Sequence, residues 1–197
     1  RTMPISAGDA ARDACTGCKT FFCKILREIQ RLLMFSPLTA TGSTEFLSLP
    51  QFKGLDAPVR PFAFGAEYQN RPTFFGIDIV LDGITYHYEF GVQGKTVVSE
   101  LLTKKYRRTE KLLERTSPAH KDITLRSELK EFESAKHRVK EEALCLPVAA
   151  LLNNELASRI VAAIRDIQVI SMTAARIAPA NAKESFSEDR LRKYLAI

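Results

Sequence analysis

The stretch "TFFGIDIVLDGITYHYEFGVQ", residues 73–93, constrains the fold more than any other part of the chain. Phe75, Ile77, Ile79 and Leu81 alternate with small or polar residues, Asp82-Gly83 follows, and Ile84, Tyr86, Tyr88, Phe90 and Val92 resume the alternation. A period of two with an Asp-Gly break predicts a β-hairpin closed by a type I′ turn. That turn pairs Leu81 with Ile84, Ile79 with Tyr86, Ile77 with Tyr88 and Phe75 with Phe90, all on one face. Because a slip of one residue would turn every one of these side chains to solvent, pattern and turn fix the register together. His87 falls on the polar face, and the aromatic residues belong to the core rather than to a base-stacking platform.

The hairpin does not stand alone. Gly94 turns the chain, and "TVVSELL" and "EKLLER" predict two more strands flanking the basic run "KKYRR", giving an antiparallel meander of about four strands. Beyond Pro118 the apolar residues Leu125, Leu129, Phe132, Val139 and Ala143 are spaced as on one face of a helix. The charged residues between them, such as Lys136 and Glu133, predict an exposed, salt-bridged face. "LPVAALLNNELASRIVAAIRDIQVIS" predicts two helices broken near Asn153-Asn154, then a short strand from Gln168 to Ser171. Ser187 is a candidate N-cap for a terminal helix.

Upstream, Phe21, Ile25, Ile29, Leu32 and Leu33 recur at helical spacing and predict a helix over 20–35. Residues 36–72 hold Pro37, Pro50, Pro58, Pro61 and Pro72, which limit strands to short pieces. The expected segments are 1–35, 36–117, 118–171 and a tail, 172–197. With 197 residues, 45% of them hydrophobic, the chain can bury a sizeable core. Its 29 basic and 23 acidic residues give a net charge of +6, which permits phosphate-bearing partners without requiring them.

Three of the four cysteines crowd into residues 15–23, unlike the even spread of a secreted disulfide framework, so a reducing cytoplasm is expected. The longest apolar region, "ALCLPVAALL", falls short of the ~20 residues that cross a bilayer, and no membrane span is predicted. "ACTGCKTFFCKIL", residues 14–26, has two readings. Cys15 and Cys18 have the spacing of a thiol pair, whereas Lys19-Thr20 after a glycine looks like the end of a phosphate loop. There a lysine reaches the β and γ phosphates and a hydroxyl holds Mg²⁺. A metal site would need Cys15, Cys18 and Cys23 to recruit the distant Cys145 or one of the scattered histidines.

Taken in order, "FFGIDIVLDGITYHYEFGV", "VVSELL", "EKLLER" and "LPVAALLNNELASRIVAAIRDIQVIS" resemble prokaryotic ATP-binding proteins of AAA type built like ABC and SMC ATPases. These are related to the overcoming-lysogenization-defect ATPases. The resemblance covers roughly residues 5–171. It implies an α/β fold: part of an ABC/SMC-like P-loop ATPase core with an antiparallel β-meander subdomain and a helical segment. It also implies ATP and Mg²⁺ as ligands, Gly17, Lys19 and Thr20 as nucleotide-binding residues with Thr20 on Mg²⁺, and pairing of two copies through the ATPase core.

The sequence departs from that family in two ways. Aligned on Lys19-Thr20, the family's G-x-N-x-[SA]-G-K-[ST] loop has Asp13, Cys15 and Cys18 where it needs glycine, asparagine and glycine. The chain also looks like the front half of such an ATPase, stopping before the signature sequence, the aspartate-glutamate strand and the switch histidine. The isolated chain is therefore expected not to turn over ATP, and no catalytic residue is assigned. The alternative is a non-catalytic remnant that binds nucleic acid or protein. Lys104, Lys105, Arg107 and Arg108 are its candidate phosphate contacts, with Lys111 and Arg115 in the same run.

Overall fold

The computed structural model describes residues 7–40, 57–59 and 71–168, with the side chains of its first helix described from 22 to 38. Helix α1 runs from Ala7 to Ala40. Its Leu26, Ile29, Leu33 and Ser36 are buried at helical spacing, while Lys24 and Arg27 face solvent. Arg31 closes an ion pair with Glu28 one turn back. The helix passes through Pro37, beyond the expected end at residue 35. A proline this near a C-terminus removes a single i−4 hydrogen bond, and burial of the flanking turn outweighs it.

The hairpin forms as its pattern dictates. Strands β1 (Thr73–Leu81) and β2 (Ile84–Gln93) pair in the expected register, Phe75 opposite Phe90 through Leu81 opposite Ile84. Asp82 (φ 51°) and Gly83 (φ 75°) both take the left-handed conformation of a type I′ turn. The rings of Phe75 and Phe90 stack 5.3 Å apart, with Tyr88 5.4 Å from Phe90. On the opposite face Phe74 lies across Gly91, where a Cβ would come within 2.7 Å of its ring.

The meander continues through β3 (Thr96–Lys105) and β4 (Thr109–Arg115) and gains a further strand, β5 (Ile123–Leu125), in the sheet order β1-β2-β3-β4-β5. Leu125, expected on a helix, pairs with Leu113 instead. Pairing with β4 creates this short strand, and so few residues cannot show a period of their own.

The expected long helix after Pro118 is also absent as an α-helix: Ser127–Arg138 is a 3-10 helix. Leu129 and Phe132 are buried and Ala135 packs on the core, a stripe repeating every third residue. A 3-10 helix, at three residues per turn, places such a stripe on one face. Lys136 and Glu133 pair along it.

Helices α2 (Cys145–Leu151) and α3 (Glu155–Arg165) break where expected. Asn153 turns the chain at φ 65°, and Asn154 caps α3 by accepting the N–H of Ala157 at 3.0 Å. The Asn154 amide also donates to Glu128 O, fastening the turn to the 3-10 helix.

One core joins Ile29 and Leu33 of α1, the inner face of the sheet, the 3-10 helix and α2–α3. These elements belong to a unit spanning Arg1–Asp166, and Ile167–Ile197 forms a second unit that is almost wholly outside the described residues. The terminal helix at Ser187 and the strand beyond Gln168 lie outside the described residues. Of the proline-rich stretch only residues 57–59 and 71–72 are described, and Val59 bridges to Gly94.

Candidate functional site

Gly17, Lys19 and Thr20 fall within α1, as do Asp13, Cys15 and Cys18. Their side chains lie outside the described residues. A helix begins at Ala7, where the sequence predicts a loop leading into a helix near Thr20. Inside a helix each backbone N–H is directed to the carbonyl four residues back, so it is not available to converge on a phosphate. In this conformation the segment does not fit the nucleotide that the resemblance implies.

The basic run is divided by the fold. Strand alternation places Lys104 and Lys105 on opposite faces of β3. Lys104, opposite Tyr86 on the inner face, reaches Glu128 of the 3-10 helix, and that pair lifts the lysine pKa and lowers the carboxyl's. Lys111 pairs with Glu114. Arg115 is buried: its guanidinium donates to Ala143 O at 2.8 Å and Ser117 O at 3.0 Å, and also to Pro118 O. It is a structural clasp for the chain around β4 rather than a surface cation. Lys105, Arg107 and Arg108 remain exposed at the β3–β4 turn, with Tyr106 between them.

A second polar cluster is internal and was scarcely legible in the sequence. Glu100, 1% exposed, sits on the inner face of β3. Its carboxylate accepts the N–H of Cys145 at 2.6 Å, the N–H of Leu146 at 2.9 Å and the hydroxyl of Tyr88 at 2.8 Å. Burial pushes the carboxyl pKa up, although the backbone donors of Leu146 and Cys145, the Tyr88 hydroxyl and the charge on Arg115 oppose it. Burial likewise raises the Tyr88 phenol and the Cys145 thiol, with Glu100 adding to both. The one available signal was a charged residue at a core position of an alternating strand.

His87 lies on the solvent face as its parity predicts, 2.7 Å from Asp78 and 3.6 Å from Glu89. Cys23 and Cys145 are free thiols. Among the described residues no group of three His, Cys, Asp or Glu side chains stands together, and no helix is long and apolar enough to cross a membrane. An open cavity of about 280 Å³ lies between the 3-10 helix and the α2–α3 turn, lined by Phe132, Ala135, Arg138, Leu152 and Asn154 among others.

These features define a mixed α/β chain: a five-stranded antiparallel meander with helices on one face, a buried carboxylate capping a helix, and a basic turn at one end of the sheet. Compared with models of protein families, with curated proteins and with solved structures, the chain matches none.

Proposed function

We propose that this chain is the front portion of an ATP-binding protein of the AAA/ABC-like class, and that it does not hydrolyse ATP by itself. The observation that carries the reading is how α1 is attached. In the class it resembles, a phosphate loop and helix come first and an Asn-containing helix pair later leads to the next core strand, and here α1 packs against both α2 and α3. Gln30 donates to the end carbonyls of α3, Ile164 O at 3.0 Å and Arg165 O at 3.2 Å, and Ser36 accepts the N–H of Leu144 ahead of α2. Residues more than a hundred positions apart are thus held by side chains that satisfy helix-terminal groups.

The reading takes ATP and Mg²⁺ as ligands of Gly17, Lys19 and Thr20, and pairing of two copies as the way a site closes. It requires α1 to be unwound ahead of Thr20 when nucleotide is bound. Titration calorimetry with Mg-ATP tests it: micromolar binding that disappears in Lys19→Ala supports it. Magnesium-dependent turnover by the chain alone, lost in the same variant, would overturn the claim of inactivity.

A second reading, a non-catalytic binding module, is favoured by the continuity of α1 through Asp13–Thr20. An absence of nucleotide binding in the calorimetry selects it.

A further inference from the structure

We propose that the β3–β4 turn is a contact site for single-stranded nucleic acid, formed by Lys105, Tyr106, Arg107 and Arg108. The inference holds under either functional reading, because it uses no residue of α1.

A run of cations in a sequence is usually a solvated surface whose charges are neutralised by neighbours. Here the fold sorts them. Lys104 and Lys111 are bound to glutamates and Arg115 is buried among carbonyls, which removes half of the run from any external partner. Lys105, Arg107 and Arg108 have no carboxylate within ion-pair distance among the described residues, and all three are exposed. The three positive charges are therefore concentrated on one turn.

The residue in their midst is aromatic. Tyr106 is 68% exposed, and the Arg107 guanidinium lies 5.8 Å from its ring centre. A ring beside guanidinium groups presents a face for an unpaired base between cations placed for phosphates. A duplex hides its base faces and would leave the ring unused. An anionic membrane would use the charges but needs apolar side chains to insert, whereas Tyr106 is flanked on both sides by cations.

The test is fluorescence anisotropy of a labelled oligothymidylate with the full chain. Three phosphate contacts on a single strand give a slope of about −2 for log K against log salt, a roughly 20-fold loss of affinity between about 50 and 200 mM salt. The variant Lys105→Ala/Arg107→Ala/Arg108→Ala should bind at least about tenfold more weakly and lose that slope. Tyr106→Ala should weaken binding about fivefold or more and keep the slope. Lys121→Ala/Lys130→Ala, equally exposed, should bind like the parent. Thermal melting checks that each variant is folded.

The proposal is overturned by an absence of oligonucleotide binding at low salt or by binding that the triple variant retains. It is equally overturned by duplex binding as tight as single-strand binding, or by binding to phosphatidylserine vesicles without binding to the oligonucleotide.

Discussion

Glu100, on the inner face of β3, accepts the backbone N–H of Cys145 at 2.6 Å and so caps the first turn of α2 from across the core. The cap residue Leu144 has no side-chain acceptor to offer, and α2 is satisfied instead by a strand residue 45 positions away. The N-terminal end of the helix, with its unpaired N–H groups, meets a buried acceptor there. Removing the carboxylate in Glu100→Ala leaves two amides and the Tyr88 hydroxyl without an acceptor. Urea titration should show a loss of about 3–5 kcal/mol, since each buried donor left without an acceptor costs about 1–3 kcal/mol.

The same carboxylate gives stability a pH dependence. Its folded pKa is raised above the ordinary value, so the folded state holds a proton more tightly than the unfolded chain. The contribution is fully present below the unfolded carboxylate pKa and is lost as pH rises through the raised folded value. Glu100→Gln, which cannot titrate, should be less stable than the parent at neutral pH, because its amide opposes the N–H of Cys145. The gap should widen as the pH is lowered toward the ordinary carboxylate range. A gap that narrows over that window, in paired urea titrations, would contradict this.

Arg115 spans carbonyls that a lysine cannot reach together. Arg115→Lys retains the charge but loses the planar fork that meets Ala143 O, Ser117 O and Pro118 O. We expect a destabilisation of about 2–4 kcal/mol, read as a fall in the urea midpoint with an unchanged slope. Arg108→Lys, on the exposed turn, should stay within about 0.5 kcal/mol of the parent.

Gly91 leaves room for Phe74. In Gly91→Ala the new methyl would stand 2.7 Å from the Phe74 ring and 2.8 Å from Ser99 Oγ, so both must shift. Because Phe74 is exposed on its outer side, the cost should be modest, about 1–2 kcal/mol. Combining it with Phe74→Ala should relieve part of that cost. A double-mutant cycle with no coupling would mean the ring does not set it.

The thiol of Cys145 is buried and its pKa raised, so it should resist an aromatic disulfide reagent in the folded protein at neutral pH. In a Cys15→Ser/Cys18→Ser/Cys23→Ser variant, labelling should follow global unfolding. Rapid labelling under native conditions would show that the start of α2 opens locally.

Much of the sheet was legible in the sequence, as was none of the wiring beneath it. The I′ turn at Asp82-Gly83, the hairpin register, the parity that put His87 outside and the helix break at Asn153-Asn154 are encoded by neighbouring residues. Short-range steric rules and a period of two are enough to specify them. Around the candidate sites the outcome differed by residue: "KKYRR" was visible as a charged turn, but which of its cations are free was not.

The rest depended on contacts between distant residues. Lys104 and Arg115 looked like members of one basic run until the 3-10 helix brought Glu128 to the first and the segment ahead of α2 brought the carbonyl of Ala143 to the second. Leu125, with the residues after it, had a spacing compatible with an α-helix until pairing to β4 made a strand of it. The loop expected before Thr20 became part of α1, whose later turns are anchored to α2 and α3. The sequence by itself determined the first four strands of the meander and which of their faces is apolar, because alternation and turn residues act locally. Only the tertiary structure decided which charges are neutralised, which carbonyls need a donor and where a helix ends, because the partners that settle those questions lie far away along the chain.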